Sequence, residues 1–167
     1  GELRPATRID RAAGERGGAW PSFLPDGEHF LFIGIKSSGE GGNIRLGKLG
    51  SLDSKVLGQS DGRAEYAAGG WVLFVKGPAL VAQKLDLGAG KLTGQPITIL
   101  DDLRLGSAAG HFSTSRTGAL VFARGAGQEG AELRLANRRG ELAAAVLVSG
   151  TVANPRISPD GRRLLYE

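Results

Sequence analysis

Pro21-Ser22-Phe23-Leu24-Pro25-Asp26-Gly27 and Pro155-Arg156-Ile157-Ser158-Pro159-Asp160-Gly161 share one pattern, P-x-x-x-P-D-G. Each is followed by two polar residues and an apolar run: Phe30-Leu31-Phe32-Ile33 in the first, Leu164-Leu165-Tyr166 in the second. Asp-Gly at a tight turn supplies the positive φ that hairpins need, and the run that follows has the composition of a strand. Pro25 and Pro159 lack an N–H, which places them at strand ends rather than in mid-ladder. The stretch therefore reads as a hairpin that occurs at least twice.

Two degenerate copies lie between. Tyr66-Ala67-Ala68-Gly69-Gly70 precedes Trp71-Val72-Leu73-Phe74-Val75, and Phe112-Ser113-Thr114-Ser115-Arg116-Thr117-Gly118 precedes Ala119-Leu120-Val121-Phe122. The turn glycines 27, 70, 118 and 161 are separated by 43, 48 and 43 residues. That period is the size of one four-stranded propeller blade. The aromatics keep the same register: all 6 Phe, 2 Trp and 2 Tyr fall inside the four hairpins. One ring follows each turn glycine by four or five residues: Phe32, Phe74, Phe122 and Tyr166. Face-to-face packing of successive blades calls for such rings at matching depths.

The rest of each period supplies further strands: Ile44 to Leu49 and Lys55 to Leu57, then Ala79 to Leu87 and Pro96 to Leu100, then Glu132 to Asn137 and Leu142 to Val148. No segment sustains a helical apolar period. The expected fold is all-β: a β-propeller fragment with about three complete four-stranded blades and partial blades at each end. Residues 1–19 are read as an outer strand of a preceding blade, around Ala6 to Asp10. Residues 20–62, 63–110 and 111–154 are blades, and 155–167 is the first hairpin of the next. Propellers close with roughly four to eight blades, so the remaining blades of a parent propeller are expected as partners. The first residue is Gly1 and methionine is absent, which also reads as a piece of a longer chain.

Composition limits the function classes. The 167 residues include no cysteine, which excludes disulfides, thiolate metal sites and a cysteine nucleophile. The net charge of +4 is spread along the chain, and the densest basic clusters are Arg138-Arg139 and Arg162-Arg163. A nucleic-acid patch would show a run of roughly five to eight. No nucleic-acid partner is expected, and no membrane insertion within this chain, since no stretch nears the roughly 18 apolar residues of a spanning helix.

Several motifs tempt a catalytic reading. Gly58-Gln59-Ser60-Asp61-Gly62 matches G-x-S-x-G, and Asp101 or Asp102 and then His111 follow in hydrolase order. A nucleophile elbow needs a strand-to-helix turn, whereas this segment links two β repeats, so Asp61-Gly62 is read as a turn. Gly88-Ala89-Gly90-Lys91-Leu92-Thr93 is similar to a phosphate loop. However, Leu85 stands where the first glycine should, and Leu92 follows the lysine. His29 and His111, the only histidines, do not make the three-ligand set of a catalytic zinc site. Asp26, Asp61 and Asp160 each stand alone before a glycine, as turn residues rather than calcium ligands. No kinase motif is present. No catalytic, cofactor or metal residues are therefore expected, and the ligand-binding residues are left open.

Trp20-Pro21-Ser22-Phe23-Leu24-Pro25-Asp26-Gly27 with Phe30-Leu31-Phe32, Ser51-Leu52-Asp53-Ser54-Lys55 and Leu92-Thr93-Gly94-Gln95-Pro96 resemble the TolB-like, WD-like propeller repeat family. The chain departs from that repeat in its second copy, with Ala68-Gly69-Gly70 in place of Pro-Asp-Gly. The resemblance extends to variants of that repeat that follow a kinase domain in bacterial serine/threonine protein kinases. The resemblance implies a non-enzymatic module that binds a protein or small molecule: a sensor portion, periplasmic or extracytoplasmic, tethered through the rest of its parent. A propeller gating a serine peptidase and a periplasmic TolB-like assembly scaffold are the alternatives.

Overall fold

The computed structural model describes residues 2–39, 41–106, 109–124, 132–137, 139, 141–143, 146–147 and 154–166. The first sheet holds β1 (Glu15–Phe23), β2 (His29–Lys36), β3 (Gly42–Lys48) and β4 (Ser54–Ser60) in sequence order. The second holds β5 (Ala64–Ala67), β6 (Trp71–Lys76), β7 (Ala79–Asp86) and β8 (Lys91–Leu100), again in order. A small hairpin follows, β9 (Leu105–Gly106) with β10 (Ala109–Gly110). The third sheet is β11 (Phe112–Thr114), β12 (Leu120–Arg124), β13 (Glu132–Ala136) and β14 (Val146–Leu147). The last pair is β15 (Arg156–Ile157) with β16 (Leu164–Leu165). All these pairings are antiparallel. The first strands touch in succession, β1 to β5, β5 to β11 and β11 to β15, while β4 touches β8 at the rim. Three meandering blades and a further hairpin thus fan about an axis lined by their first strands, as in a β-propeller.

The four expected hairpins are equivalent in register. Ser22 pairs with Leu31, Glu65 with Leu73, Ser113 with Val121 and Arg156 with Leu165. The residues after these partners are Phe32, Phe74, Phe122 and Tyr166, so the four rings occupy one structural position. Their environments follow their neighbours. Phe74 lies in the core shared with the first blade, among Leu31, Ile33, Ile44 and Leu46. Phe122 lies in the core shared with the second, among Leu73, Val75, Leu80 and Phe112. Val121, Ala123 and Leu133 close on Ile157 of the last hairpin. Each large apolar side chain buried in these interfaces contributes about 1.5–3 kcal/mol, so inter-blade packing dominates the stability.

The outer face of the first blade is built differently. It buries Phe30 and Phe32, whose rings lie 5.7 Å apart, but beside them it buries charge. The Arg45 guanidinium donates from Nε to Glu15 Oε1 at 2.7 Å and from Nη2 to Asp10 Oδ2 at 3.0 Å. Asn43 Nδ2 donates to the same Glu15 oxygen at 2.8 Å. Burial opposes the Arg45 charge, but the bonds to Glu15 and Asp10 outweigh it and raise its pKa. Room for the Glu15 carboxylate exists only because residue 34 is glycine: a Cβ there would collide with it.

Two local expectations are corrected. Ala6 to Asp10 form no strand; Arg8 N–H donates to Leu52 O at 2.8 Å, and the first strand begins at Glu15. Lys91 and Leu92, outside the strands expected at Ala79 to Leu87 and Pro96 to Leu100, belong to β8, because Asp86 and Leu85 pair directly with them. Of the strand expected over Leu142 to Val148, Leu142 bridges Ala136, residues 146–147 form β14, and 144, 145 and 148 lie outside the described residues. Arg138 and Glu167 also lie outside them.

Candidate functional site

Ser22, Glu65, Ser113 and Arg156 are the same position of the first strand in four successive units, and all four line one cavity of about 510 Å³ at the axis. A strand presents alternate residues to opposite faces, so one polar position per blade, repeated by the fold, becomes a polar arc around the axis. In β1 a bulge between Ala19 and Ser22 brings Pro21 and Ser22 to this wall. Trp20, at that bulge, has φ of 53°, a left-handed conformation that is costly for a bulky residue and disfavoured before proline. Its side chain packs against the first inter-blade core, which holds the bulge in place.

Glu65 is the hub. Its Oε2 accepts the Thr114 N–H at 2.9 Å, and its Oε1 accepts both Arg63 Nη2 and Arg156 Nη1, the latter at 3.1 Å. The Thr114 hydroxyl donates to Tyr66 O at 3.0 Å. One buried carboxylate thereby joins the second blade, the third blade and the last hairpin. Arg63 is 4% exposed, and its guanidinium lies 5.4 Å from the centroid of the Phe112 ring. Its Nε–H is buried and has no hydrogen-bond partner among the described residues. Arg116, exposed on the third hairpin turn, completes the charged lining.

The residues singled out in the sequence lie elsewhere and apart from one another. Ser60 is 2% exposed at the end of β4; its hydroxyl accepts the Val75 N–H and donates to Val75 O, both at 3.1 Å. It ties the first blade to the second. Asp61 Oδ2 accepts the Gly77 N–H at 2.7 Å. Asp102 accepts Arg124 Nε at 2.9 and 2.8 Å, which raises the arginine's pKa. Asp101 is exposed beside it.

His111 is buried, and its Nδ1 accepts the Asn154 N–H at 3.1 Å. Burial, and then the charge of Arg104, lower its pKa below the usual 6.5. Glycines 88 and 90 and Ala89 form the β7–β8 turn, fastened by Ala89 N–H to Asp86 Oδ1 at 2.9 Å.

Asp26 and Asp160 act as turn residues. Asp26 accepts the His29 and Glu28 N–H groups and His29 Nδ1; the His29 backbone and side chain hold its pKa at about 2. Asp160 accepts from the Ser158 hydroxyl and the Arg162 N–H, which lowers its pKa too. Among the described residues no group of three or more His, Asp or Glu is placed to hold a metal ion. Among them no helix is long and apolar enough to cross a membrane.

Sequence reasoning missed Arg63, Glu65, Thr114 and Arg156 as a set. A signal was available: Glu65 and Arg156 interrupt first strands whose partners are the apolar Leu73 and Leu165. The turn glycines align these positions as well: Ser22, Glu65, Ser113 and Arg156 each lie five residues before glycines 27, 70, 118 and 161.

No family model matches the sequence, and a search of curated proteins finds no match. Among solved structures, the chain is similar to regucalcin, a calcium-binding protein from Agrobacterium tumefaciens. Identity is 19% and the TM-score 0.57, over 89% of this chain and 52% of that one. It is also similar to puromycin hydrolase, at 17% identity and a TM-score of 0.55, over 91% of this chain and 25% of that one. The chain spans about half the length of the first protein and a quarter of the second. At these identities the likeness shows the fold, a β-propeller fragment.

Proposed function

We propose that this chain is a non-enzymatic binding module whose ligand, a small molecule or a protein segment, sits in the axial cavity. The observation that carries the reading is the arc Ser22, Glu65, Ser113 and Arg156: equivalent positions, one per unit, facing one 510 Å³ space. Binding sites favour concave places where a rigid scaffold gathers a few polar groups. The separate engagement of Ser60, His111 and Asp102 supports a role without catalysis. Amide shift mapping with a mixed panel of small anions, cations and neutral fragments tests this. Shifts concentrated at Tyr66, Ser113, Thr114 and Ile157 are expected; shifts scattered over the outer strands would refute it.

The finer reading makes the module the sensor portion of a bacterial serine/threonine protein kinase, outside the cytoplasm and tethered through its parent. Its support is the Pro-Asp-Gly repeat and its resemblance to TolB-like propellers. A periplasmic TolB-like scaffold shares that support. The likeness to puromycin hydrolase favours a second reading, a propeller gating the active site of an attached hydrolase. The flanking reading frame separates these: a kinase and membrane helix upstream, a signal peptide, or a hydrolase downstream.

A further inference from the structure

The axial cavity is unbalanced in charge. Among the described residues, Arg63, Arg116 and Arg156 line it against one carboxylate, that of Glu65. That carboxylate already accepts from Arg63, Arg156 and the Thr114 N–H, so both of its oxygens are engaged within the protein. The described lining therefore keeps an excess of two positive charges. Arg63 is buried with its Nε–H lacking an acceptor, which is costly for a charged donor group. Phe112 beneath the guanidinium and Glu65 beside it fix the plane of that group. A concave, low-dielectric wall focuses such a field.

From this geometry, and resting on the binding-module reading above, we infer that the axial cavity takes the oxyanion group of its ligand, a carboxylate or a phosphate, between Arg63, Arg116 and Arg156. The guanidinium fork suits either, because both present paired oxygens to parallel N–H groups. Arg63 is the pre-set buried contact, Arg156 the contact fixed by Glu65, and Arg116 the outer cation that attracts the anion.

The test uses the 167-residue chain, titrated with inorganic phosphate and, separately, with succinate, against sodium chloride at matched ionic strength. The Arg63 Nε–H resonance and the Ser113 and Thr114 amides should shift saturably with at least one anion, and which anion identifies the group. Arg116→Gln, at an exposed position, should keep the fold and weaken binding by roughly tenfold, the loss of one charge-assisted contact. Arg63→Lys keeps the charge but removes the Nε–H and the fork, and should weaken it at least as much. A linear response no larger than that of the exposed Arg8 Nε–H, or an unchanged affinity in Arg116→Gln, overturns the inference. Tetramethylammonium and glycerol are the control arms. If they shift the cavity and the anions do not, the oxyanion inference fails while the binding module stands. If no solute shifts it, both fail.

Discussion

Glu65 Oε1 accepts a hydrogen bond from Arg156 Nη1 at 3.1 Å, across 91 residues of sequence. Two strands two blades apart are thus joined at the axis by one ion pair whose acid is buried and whose base is half exposed. The asymmetry has an energetic consequence. Removing the acid strands the buried Arg63, whereas removing the base leaves Glu65 with Arg63 and the Thr114 N–H.

Glu65→Gln should therefore destabilise the fold by about 3 kcal/mol, the usual penalty for leaving a buried charge without its partner. Arg156→Gln should lose no more than about 1 kcal/mol, as expected for a pair open to solvent on one side. Urea denaturation of both variants measures the difference. Equal losses would show that Glu65 does not organise the cluster.

Phe74, Phe122 and Tyr166 hold one register position but differ in burial: the first two are nearly inaccessible and Tyr166 is 43% exposed. Phe74→Ala and Phe122→Ala should each lose about 3–5 kcal/mol. Tyr166→Ala should stay within about 1 kcal/mol. Thermal melts of the three variants rank them, and a large loss at Tyr166 would contradict the packing described.

Burial and the Arg104 charge lower the folded pKa of His111 below its unfolded 6.5. The neutral ring is the form that accepts the Asn154 N–H, so the unfolded chain binds the proton more readily. The contribution of His111 is fully present above 6.5 and is lost as the pH falls from there through the folded pKa. Melting temperatures taken from about pH 8 down to about pH 5 should drop over that window. In His111→Gln the dependence should flatten. An unchanged slope would assign it to other groups.

Gly34→Ala places a methyl where the Glu15 carboxylate lies and should push that side chain off Arg45. A loss of about 2–4 kcal/mol is expected, mainly because the buried Arg45 keeps only the part-exposed Asp10 as its carboxylate partner. In a Glu15→Ala background the same change should have little further effect. A double-mutant cycle reads this coupling directly, and simple additivity would disprove it.

The fold was legible because turn chemistry and burial act locally. Asp-Gly turns and one ring per hairpin mark the blade period whatever the rest of the strand contains. The site was not legible, because the repeat marks equivalent positions without showing which of them face a common space, and on the far side of the turn, glycine spacing is an imperfect ruler for register. Phe32 and Tyr166 lie five residues after their turn glycines, and Phe74 and Phe122 four, yet pairing makes them equivalent. Ser22, Glu65, Ser113 and Arg156 all lie five residues before their turn glycines, but that they face one cavity follows only from the bulge at Trp20 and the succession of first strands about the axis. The unpaired segment at Ala6 to Asp10 was equally hidden, since Asp10 is placed by Arg45, some 35 residues away.

The charged outer face of the first blade bears on how copies of the chain can meet. Stacking the last hairpin of one copy, with Leu165 exposed, on the first blade of another would be a head-to-tail contact, which makes a ring if its rotation closes and a fibre if it does not. To be that contact's other half, the first blade would have to bury an apolar strand against a surface organised by Arg45, Glu15 and Asp10. Separating those ions without replacing their partners costs several kcal/mol for each one. The ion cluster thus makes that face a poor seat for a purely apolar strand, in a ring or in a fibre, and favours a neighbour that brings polar groups to it.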